Sequence, residues 1–240
     1  MNISFSSPLS CPKIISLRGN YRLQKEKIMA QIVQLIFNDF SENTYLIFDD
    51  SGECVVIDPG CNNSRERNEL AGEIARRQLR PVRLLNTHCH LDHVFGNAFV
   101  ANAYSLPLEI HRDDLPILNA VPQVCRMYGL PEPEPSPQPG RFMEEGEVIE
   151  FGHTRLEVIH TPGHSPGSVS FFCREDRFLI SGDVLFYGSI GRTDFPGGHH
   201  ATLLASIENK LFPLGDDVQV YSGHGQATNI GFERVHNPFL

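Results

Sequence analysis

The sequence has no run of 18 apolar residues, no two cysteines in CxxC spacing and no excess of positive charge. Without such an apolar run no transmembrane helix is expected, and we predict no membrane partner. The 20 Lys and Arg against 29 Asp and Glu give a formal charge of −9, which argues against nucleic acid or an anionic membrane surface. Nor is any internal repeat of fixed period present.

The six cysteines are scattered along the chain. This spacing favours reduced thiols in a cytoplasmic protein over a disulfide framework, although a bridge stays open at this point. We expect each to be a small buried apolar residue. They are Cys11, Cys54, Cys61, Cys89, Cys125 and Cys173.

The first 28 residues differ in composition from the rest. They contain five basic residues and one acidic residue, and they are rich in serine. A basic, serine-rich leader suits an organelle transit peptide, but a disordered extension is the simpler interpretation. We therefore predict a disordered segment over 1–28 and a folded domain over 29–240.

Short runs rich in β-branched and aromatic residues, separated by turn residues, predict strands from Gln31 onward. Stretches with helical spacing lie between them; in the first, Leu70 and Ile74 mark one face and Asn63 with Glu66 resembles a capping box. Strands and helices, then strands and helices again, predict two sheets with helices packed outside in one α+β domain. The predicted strands are QIVQLIF, TYLIFDD, CVVIDPG, PVRLLNT, LPLEIH, GEVIEFG, TRLEVIHTP, SVSFFCRE, RFLISGDVLF and QVYSGHG, and the predicted helices are NSRERNELAGEIARRQLR, HVFGNAFVANAY, DDLPILNAVPQVCRMYG and HATLLASIENKLF.

Proline occupies every second position from 131 to 139, which predicts a stiff extended loop over 130–140. We interpret it as a surface loop within the domain rather than a linker, because the strands after it need partners.

Residues 86–97, NTHCHLDHVFGN, hold three histidines and an aspartate within six positions. His88 and His90 are two apart at the end of a predicted strand, so both imidazoles can face one ion. Asp92 and His93 follow as the chain turns into a helix, where they can face a second ion. Cys89 points to the opposite side and is not predicted to be a ligand.

Three more polar residues follow predicted strands. His164 lies in HTPGHSPGSVSFF, Asp183 in FLISGDVLF and His224 in VYSGHGQ. Each alone is a weak signal, since a histidine beside glycine is often only a loop residue. Together with the first cluster they supply five His and two Asp, enough for two ions that share one carboxylate.

This ordered set of THxHxDH, TPGHSPGS, SGD and GHG resembles the metallo-β-lactamase superfamily of hydrolases. Within it, GSIGRTDFPGG and GFERVHNPFL resemble the glyoxalase II-like hydrolases, particularly their short bacterial branch. The resemblance implies a single-domain, four-layered αββα sandwich with two divalent metal ions at one edge. Nitrogen and oxygen ligands without a thiolate suit Zn²⁺, which is our first choice, and also Fe or Mn, so the ligand types alone do not decide the metal.

The resemblance also implies a role for each residue. His88, His90 and His164 would hold one ion, Asp92, His93 and His224 the other, and Asp183 would bridge them, with Asp92 and Asp183 counted as catalytic. Asp58, in VIDPG, matches the aspartate that orients a ligand in this family, although an Asp-Pro-Gly turn explains it equally well.

The activity implied is attack on an acyl thioester such as S-lactoylglutathione by a hydroxide held between the two ions, with no protein nucleophile. The main alternative is a persulfide dioxygenase of the same fold, similar in GRTDF, with one iron on His88, His164 and Asp183. A metal-binding protein without activity is a third interpretation, but no ligand is missing.

The sequence departs from the larger glyoxalase II enzymes in two ways. Only 16 residues follow His224, so we expect no counterpart of their C-terminal helical domain. Where they place a lysine and a tyrosine on glutathione, this chain offers Arg192 and Asp194. Arg192 is a candidate substrate-binding residue, but an ion pair with Asp194 is an equal alternative.

Overall fold

The computed structural model describes residues 29–240, and the predicted extension over 1–28 lies outside the described residues. Within 29–240, no helix combines the length and apolar character that crossing a membrane requires.

The first sheet has six strands whose spatial order follows the chain order, β1 to β6. β1, β2 and β3 pair antiparallel, whereas β3 to β6 pair parallel, because helices or helix-containing connections carry the chain between these later strands. Their bounds are β1 Gln31–Phe37, β2 Glu42–Phe48, β3 Glu53–Ile57, β4 Arg80–Leu85, β5 Leu108–His111 and β6 Pro139–Met143.

The second sheet also has six strands, in the order β14-β13-β10-β9-β8-β7, and all its pairs are antiparallel except β10 with β13. A separate two-stranded hairpin, β11 with β12, follows β10. The bounds are β7 Val148–Phe151, β8 Thr154–His160, β9 Val169–Cys173, β10 Phe178–Gly182, β11 Leu185–Phe186, β12 Ser189–Ile190, β13 Gln219–Ser222 and β14 Thr228–Asn229.

Six α-helices cover the outer faces of the sheets. They are α1 Ser64–Arg76, α2 Leu91–Val94, α3 Asn97–Tyr104, α4 Leu115–Met127, α5 His200–Ser206 and α6 Ile230–His236. In α1 the side chain of Asn63 accepts a hydrogen bond from the N–H of Glu66, whose own carboxylate accepts from the N–H of Asn62. Leu70 and Ile74 are buried, as their spacing predicts.

Three apolar layers separate the elements and establish the αββα order. β2 is buried on both faces, so alternate residues enter different layers. Leu46 and Phe48 pack with α1 and the other helices of the first half, whereas Tyr45 and Ile47 pack between the two sheets. A third layer joins the second sheet to α5 and α6. The predicted α+β sandwich in one domain is confirmed.

Two helix predictions need correction. HVFGNAFVANAY was predicted as one helix, but the chain forms α2 and α3 with a break at Gly96. There the N–H donates to the carbonyl of Pro59 at 2.6 Å, and a Cβ at this position would lie 2.5 Å from the sulfur of Cys61. The loop after β3 therefore contacts the chain at Gly96, and the N–H of Gly96 bonds to this loop instead of to a helical carbonyl. The last segment, for which no helix was predicted, forms α6, where Asn229 caps the N–H of Phe232.

The predicted proline-rich loop has no regular structure until β6 begins at Pro139. The predicted helix over HATLLASIENKLF begins as α5 and continues as a π-helical turn over Ile207–Leu211.

All five cysteines of the described part of the chain are free and buried, as expected for small apolar residues.

One buried carboxylate connects the two loops that follow β4 and β8. Asp114, at the start of α4, is fully buried and accepts from the N–H of Cys89 at 2.7 Å and of Gly167 at 2.6 Å. It also accepts from the hydroxyl of Ser165 at 2.9 Å. Because Cys89 lies between His88 and His90, and Ser165 follows His164, Asp114 fixes the relative position of three candidate ligands.

We expect Asp114→Ala to lower the free energy of unfolding by about 3 kcal/mol, because it leaves buried donors without their acceptor. Urea unfolding measures this loss. Asp113→Asn is the matched control, since that side chain is 56% exposed, and it should change stability by less than about 0.5 kcal/mol. Equal losses in the two variants would contradict the assigned role of Asp114.

The loop that carries His164 depends on a glycine. Gly163 has φ +135°, and a Cβ added there would lie 2.3 Å from the backbone nitrogen of Leu203 in α5. Gly163→Ala should therefore lower the free energy of unfolding by about 3 kcal/mol, from backbone strain plus overlap. Gly129 has φ +68° but open space around it, so a substitution there tests backbone strain without overlap. Gly129→Ala should therefore lower the free energy of unfolding by only about 1 kcal/mol. Thermal or urea unfolding compares them, and similar losses would show that the contact with α5 does not matter.

Candidate metal centre

The predicted site residues all lie at one edge of the sandwich, at or just beyond the ends of strands. His88 and His90 follow β4, and Asp92 and His93 are in α2 directly after them. His164 follows β8, Asp183 follows β10, and His224 follows β13. A bridge between the backbones of Glu42 and His224 joins the two sheets at this edge. The structure thus brings together seven residues that span 136 positions of the chain.

His88, His90 and His164 form the first group. Nδ1 of His90 lies 2.8 Å from Nε2 of His164, which lies 3.3 Å from Nε2 of His88. The three rings meet nearly edge to face, with centroids 4.5 to 4.8 Å apart. Their nitrogens therefore converge on one small volume, as the spacing of His88 and His90 predicted.

Asp92, His93 and His224 form the second group. Nε2 of His224 lies 3.2 Å from a carboxylate oxygen of Asp92, and Nε2 of His93 lies 3.7 Å from the same oxygen. Asp183 lies between the groups: its Oδ2 is 3.6 Å from Nε2 of both His164 and His224, and its Oδ1 is 3.5 Å from Nε2 of His93. This position suits a carboxylate shared by two ions.

Hydrogen bonds on the outer side of four rings decide which nitrogen faces inward. Nδ1 of His164 is 2.8 Å from the carbonyl oxygen of Arg192, and Nδ1 of His224 is 3.0 Å from that of Phe40. A carbonyl only accepts, so both Nδ1 atoms carry the proton. In neutral rings, Nε2 of His164 and His224 therefore presents a lone pair to the centre.

The same reasoning applies to His93 and His88. Nδ1 of His93 lies 3.1 Å from the carboxylate of Asp58 and donates to it. The hydroxyl of Thr87 donates to Asp58 at 2.6 Å, so its oxygen accepts from Nδ1 of His88 at 3.1 Å. The Nε2 atoms of these two rings also point inward, and each offers a lone pair when its ring is neutral, as in a metal complex.

Lone pairs that face one another and carboxylate oxygens repel unless a cation lies between them. Among the described residues, Nε2 of His93 and Oδ1 of Asp183 are buried without any hydrogen-bond partner. Imidazole and carboxylate donors at this separation are the ligands that divalent transition metals prefer. The residues present therefore fit two metal ions.

The electrostatics divide the site into two parts. Burial and neighbouring imidazoles lower the pKa of His90 to about 3, and burial lowers the pKa of His164 to about 4. Burial also lowers the pKa of His88 well below its usual value. These rings are neutral and available as ligands at pH 7.

The carboxylates have the opposite effect on the second group. Burial alone would lower the pKa of His93, but Asp183, Asp92 and Asp58 outweigh it and hold that pKa well above its usual value. Asp92, despite its burial, has a lowered pKa because His93 and His224 stabilise its charge. This half of the site therefore attracts positive charge.

Asp58 lies where the sequence placed it, directly behind a candidate ligand. Its carboxylate receives hydrogen bonds from His93, from the hydroxyl and the N–H of Thr87, and from the amide of Asn86. Its backbone is left-handed, with φ 49°, a conformation that costs energy for a residue other than glycine. The turn and the hydrogen bond from the candidate ligand His93 to Asp58 therefore both occur, and neither alternative excludes the other.

Arg192 adopts the ion pair that was the alternative interpretation. Its guanidinium makes two hydrogen bonds, 2.6 and 2.7 Å long, to the carboxylate of Asp194 and lies 4.0 Å from the ring centroid of Phe195. It nevertheless lines the cleft above the site.

Sequence reasoning missed two buried acids beside the site, Asp114 and Glu42. Glu42 is fully buried and accepts a hydrogen bond from the hydroxyl of Thr44. Its other carboxyl oxygen lies 4.0 Å from Nδ1 of His93 and has no hydrogen-bond partner among the described residues. Burial raises its pKa well above the usual value. Asp114 resembled an ordinary acidic residue at a helix start, so no local signal distinguished it. Glu42 begins β2 beside the polar residues Asn43 and Thr44, so no local signal distinguished it either.

Residues 163–167, GHSPG, match the GxSxG pattern of serine hydrolases, so a nucleophilic serine has to be considered. Ser165 is fully buried, and its hydroxyl is within 2.9 Å of both Asp114 and Ser168. No histidine base is bonded to it in the described structure. Ser165 therefore supports the loop and is not placed to attack a substrate.

Comparison with known proteins agrees with this geometry. Residues 37–224 match the model of the metallo-beta-lactamase superfamily. The hydroxyacylglutathione hydrolase GloC of Haemophilus influenzae is 38% identical over 84% of this chain and 93% of its own length.

Two solved structures share the fold, each 38% identical over 88% of this chain. The BLEG-1 B3 metallo-beta-lactamase matches over 99% of its own chain with a TM-score of 0.80. TTHA1623, solved in a di-iron-bound form, matches over 100% of its chain with a TM-score of 0.77. With the αββα sandwich and the grouped His and Asp residues, these matches show that the chain belongs to the metallo-β-lactamase superfamily.

Proposed function

We propose that the protein is a metal-dependent hydrolase that cleaves acyl thioesters, with S-lactoylglutathione as the first substrate to test. The observation that carries the proposal is the set of inward-facing imidazole lone pairs around Asp92 and Asp183, at the floor of a cleft. The name of the GloC relative, a hydroxyacylglutathione hydrolase, supports a thioester substrate. Five free, buried cysteines in the described residues support a cytoplasmic location.

In this proposal His88, His90 and His164 hold one divalent ion, Asp92, His93 and His224 hold a second, and Asp183 contacts both. Zn²⁺ is our first choice, and the di-iron form of TTHA1623 makes iron the first alternative. Two such ions would lower the pKa of a water molecule and polarise a carbonyl group.

The chain's own contribution is to hold the ligands in position. Asp58 orients His93 directly and His88 through Thr87, while two backbone carbonyls orient His164 and His224. Such fixed outer partners hold each ring so that Nδ1 faces its partner and Nε2 faces the centre. Hydrolysis adds water across the C–S bond and yields a carboxylic acid and a thiol.

The protein loaded with two equivalents of Zn²⁺ should release thiol from S-lactoylglutathione or another acyl thioester, with kcat/KM on the order of 10⁴ M⁻¹s⁻¹ or above. A chromogenic thiol reagent follows the reaction, with chelator-treated protein as the control and Fe- and Mn-loaded protein in parallel. Nitrocefin, a lactone and glutathione persulfide complete the panel.

The outcomes separate the candidate functions. Oxygen consumption on glutathione persulfide with one iron per chain, and no thiol release from thioesters, would establish the dioxygenase alternative instead. Hydrolysis of nitrocefin alone would indicate the activity in the name of BLEG-1. Absence of every activity in the metal-loaded protein would favour a metal-binding protein without catalysis.

We expect Asp58→Asn to weaken Zn²⁺ binding by about 10- to 100-fold, most at the ion that His93 would hold, because Asp58 contacts His93 directly and His88 only through Thr87. The amide keeps the size and one acceptor oxygen of Asp58 but loses the charge that stabilises His93. Competition with a chromogenic chelator measures both affinities. Asp50→Asn, an exposed aspartate close in sequence, should leave both unchanged, and the proposed role of Asp58 is wrong if the two variants bind Zn²⁺ alike.

A further inference from the structure

A cavity of about 1240 Å³ opens above the candidate metal centre. Its floor includes His90, His164 and Asp183. This volume exceeds the roughly 300–1,000 Å³ that is usual for a small-molecule site. A three-carbon lactoyl group at the floor would leave most of the walls uncovered.

Apolar side chains form the two facing walls. One wall is α4, which presents Ile117, Val124 and Met127. The other is the β11–β12 hairpin with the loop after it, which presents Phe186, Tyr187 and Phe195. The walls approach the metal centre directly, because Phe195 lies 5.2 Å from His90 and Phe186 lies 6.4 Å from His224, measured between ring centroids.

The rim of the cleft is apolar and exposed. The exposed fraction of Met127 is 77%, that of Tyr128 is 56% and that of Tyr187 is 50%. α4 already buries Leu118 and Val121 against the core, so Met127 is an additional apolar residue that the fold does not use. Contiguous apolar surface of this kind at a site is typical of ligand binding.

The cleft is poor in positive charge. Among the described residues that line it, Arg192 is the single Lys or Arg, and its guanidinium is already bonded to Asp194. Asp113 adds a negative charge to the lining. Glutathione carries two carboxylates, which would find no free guanidinium or ammonium along these walls. The walls therefore do not complement glutathione.

We propose that the cleft selects thioesters with a large apolar acyl group, and that it recognises the acyl chain rather than a glutathione moiety. This inference rests on the proposed thioester hydrolysis. The reaction remains addition of water across the C–S bond, with the carboxylic acid and the thiol as products.

The first test measures kcat/KM of the Zn²⁺-loaded protein on N-acetylcysteamine thioesters of acetate, butanoate, hexanoate and octanoate. We expect a rise of about threefold to fourfold for each added methylene as the walls are covered. Replacing N-acetylcysteamine by glutathione in the hexanoyl thioester should change kcat/KM by less than about threefold. Within residues 29–240, the cleft lining offers no unpaired Lys or Arg side chain to the carboxylates of glutathione.

A second readout does not depend on turnover. Calorimetry would compare the non-hydrolysable hexyl and octyl thioethers of N-acetylcysteamine with S-hexylglutathione. Octyl should bind more tightly than hexyl, with a negative heat-capacity change, and the two hexyl compounds should bind within about threefold of each other.

Two methionines provide matched variants. Met127→Gln should lower kcat/KM about fivefold more for the octanoyl thioester than for the acetyl thioester, because the longer chain covers more of that wall. Met29 is also exposed but does not line the cleft, so Met29→Gln should alter neither. Equal effects of Met127→Gln on both thioesters would contradict selection by this wall.

The outcomes distinguish selection for apolar acyl groups from the proposed thioester hydrolysis itself. If S-lactoylglutathione is hydrolysed faster than every acyl-N-acetylcysteamine, or if acyl length has no effect, the inference is overturned and thioester hydrolysis stands. If no thioester is hydrolysed, both are overturned.

Discussion

The candidate site depends on one constraint: hydrogen bonds to Nδ1 fix four imidazole rings so that their Nε2 atoms face a common centre. The backbone carbonyls of Phe40 and Arg192, together with Thr87 and Asp58, leave the rings no other orientation. Asp92 and Asp183 bring negative charge to the same place. Such a cluster is unfavourable by itself and becomes favourable around cations.

The fold supplies this constraint by its two sheets. Ligand loops from both sheets meet at one edge, and they are connected by contacts that cross the sandwich: the Glu42–His224 bridge and the Asp114 carboxylate. The apolar layer between the sheets fixes their separation. Close packing of this layer therefore controls the distance between the two ligand groups, although no residue of that layer is a candidate ligand.

The walls of the cleft and the candidate metal ligands at its floor come mostly from different elements of the fold. Its walls come from α4 and from the hairpin after Asp183, which are outside the strands that place the ligands. The hairpin is held by α6, where Glu233 accepts from the N–H of Gly188 and Tyr187 stacks on Phe232. Two contacts still connect the walls to the candidate ligands: Asp114 at the start of α4 bonds the loops that carry His88, His90 and His164, and the carbonyl of Arg192 after the hairpin bonds His164.

Local signals such as alternation, a glycine turn or histidines two apart predict the order of most strands, the seven polar residues at or just beyond strand ends, and the family. Tertiary structure alone decided the inward-facing nitrogen of each ring, since carbonyls of Phe40 and Arg192, distant in the chain, set the tautomers. It also decided the break at Gly96, the connecting role of Asp114, and the pairing of Arg192 with Asp194 in an apolar cleft. The tautomers, the break at Gly96 and the role of Asp114 arise from contacts between residues far apart in sequence, which no local pattern encodes. Arg192 and Asp194 are only two residues apart, and the structure decided between two interpretations that the sequence had left open.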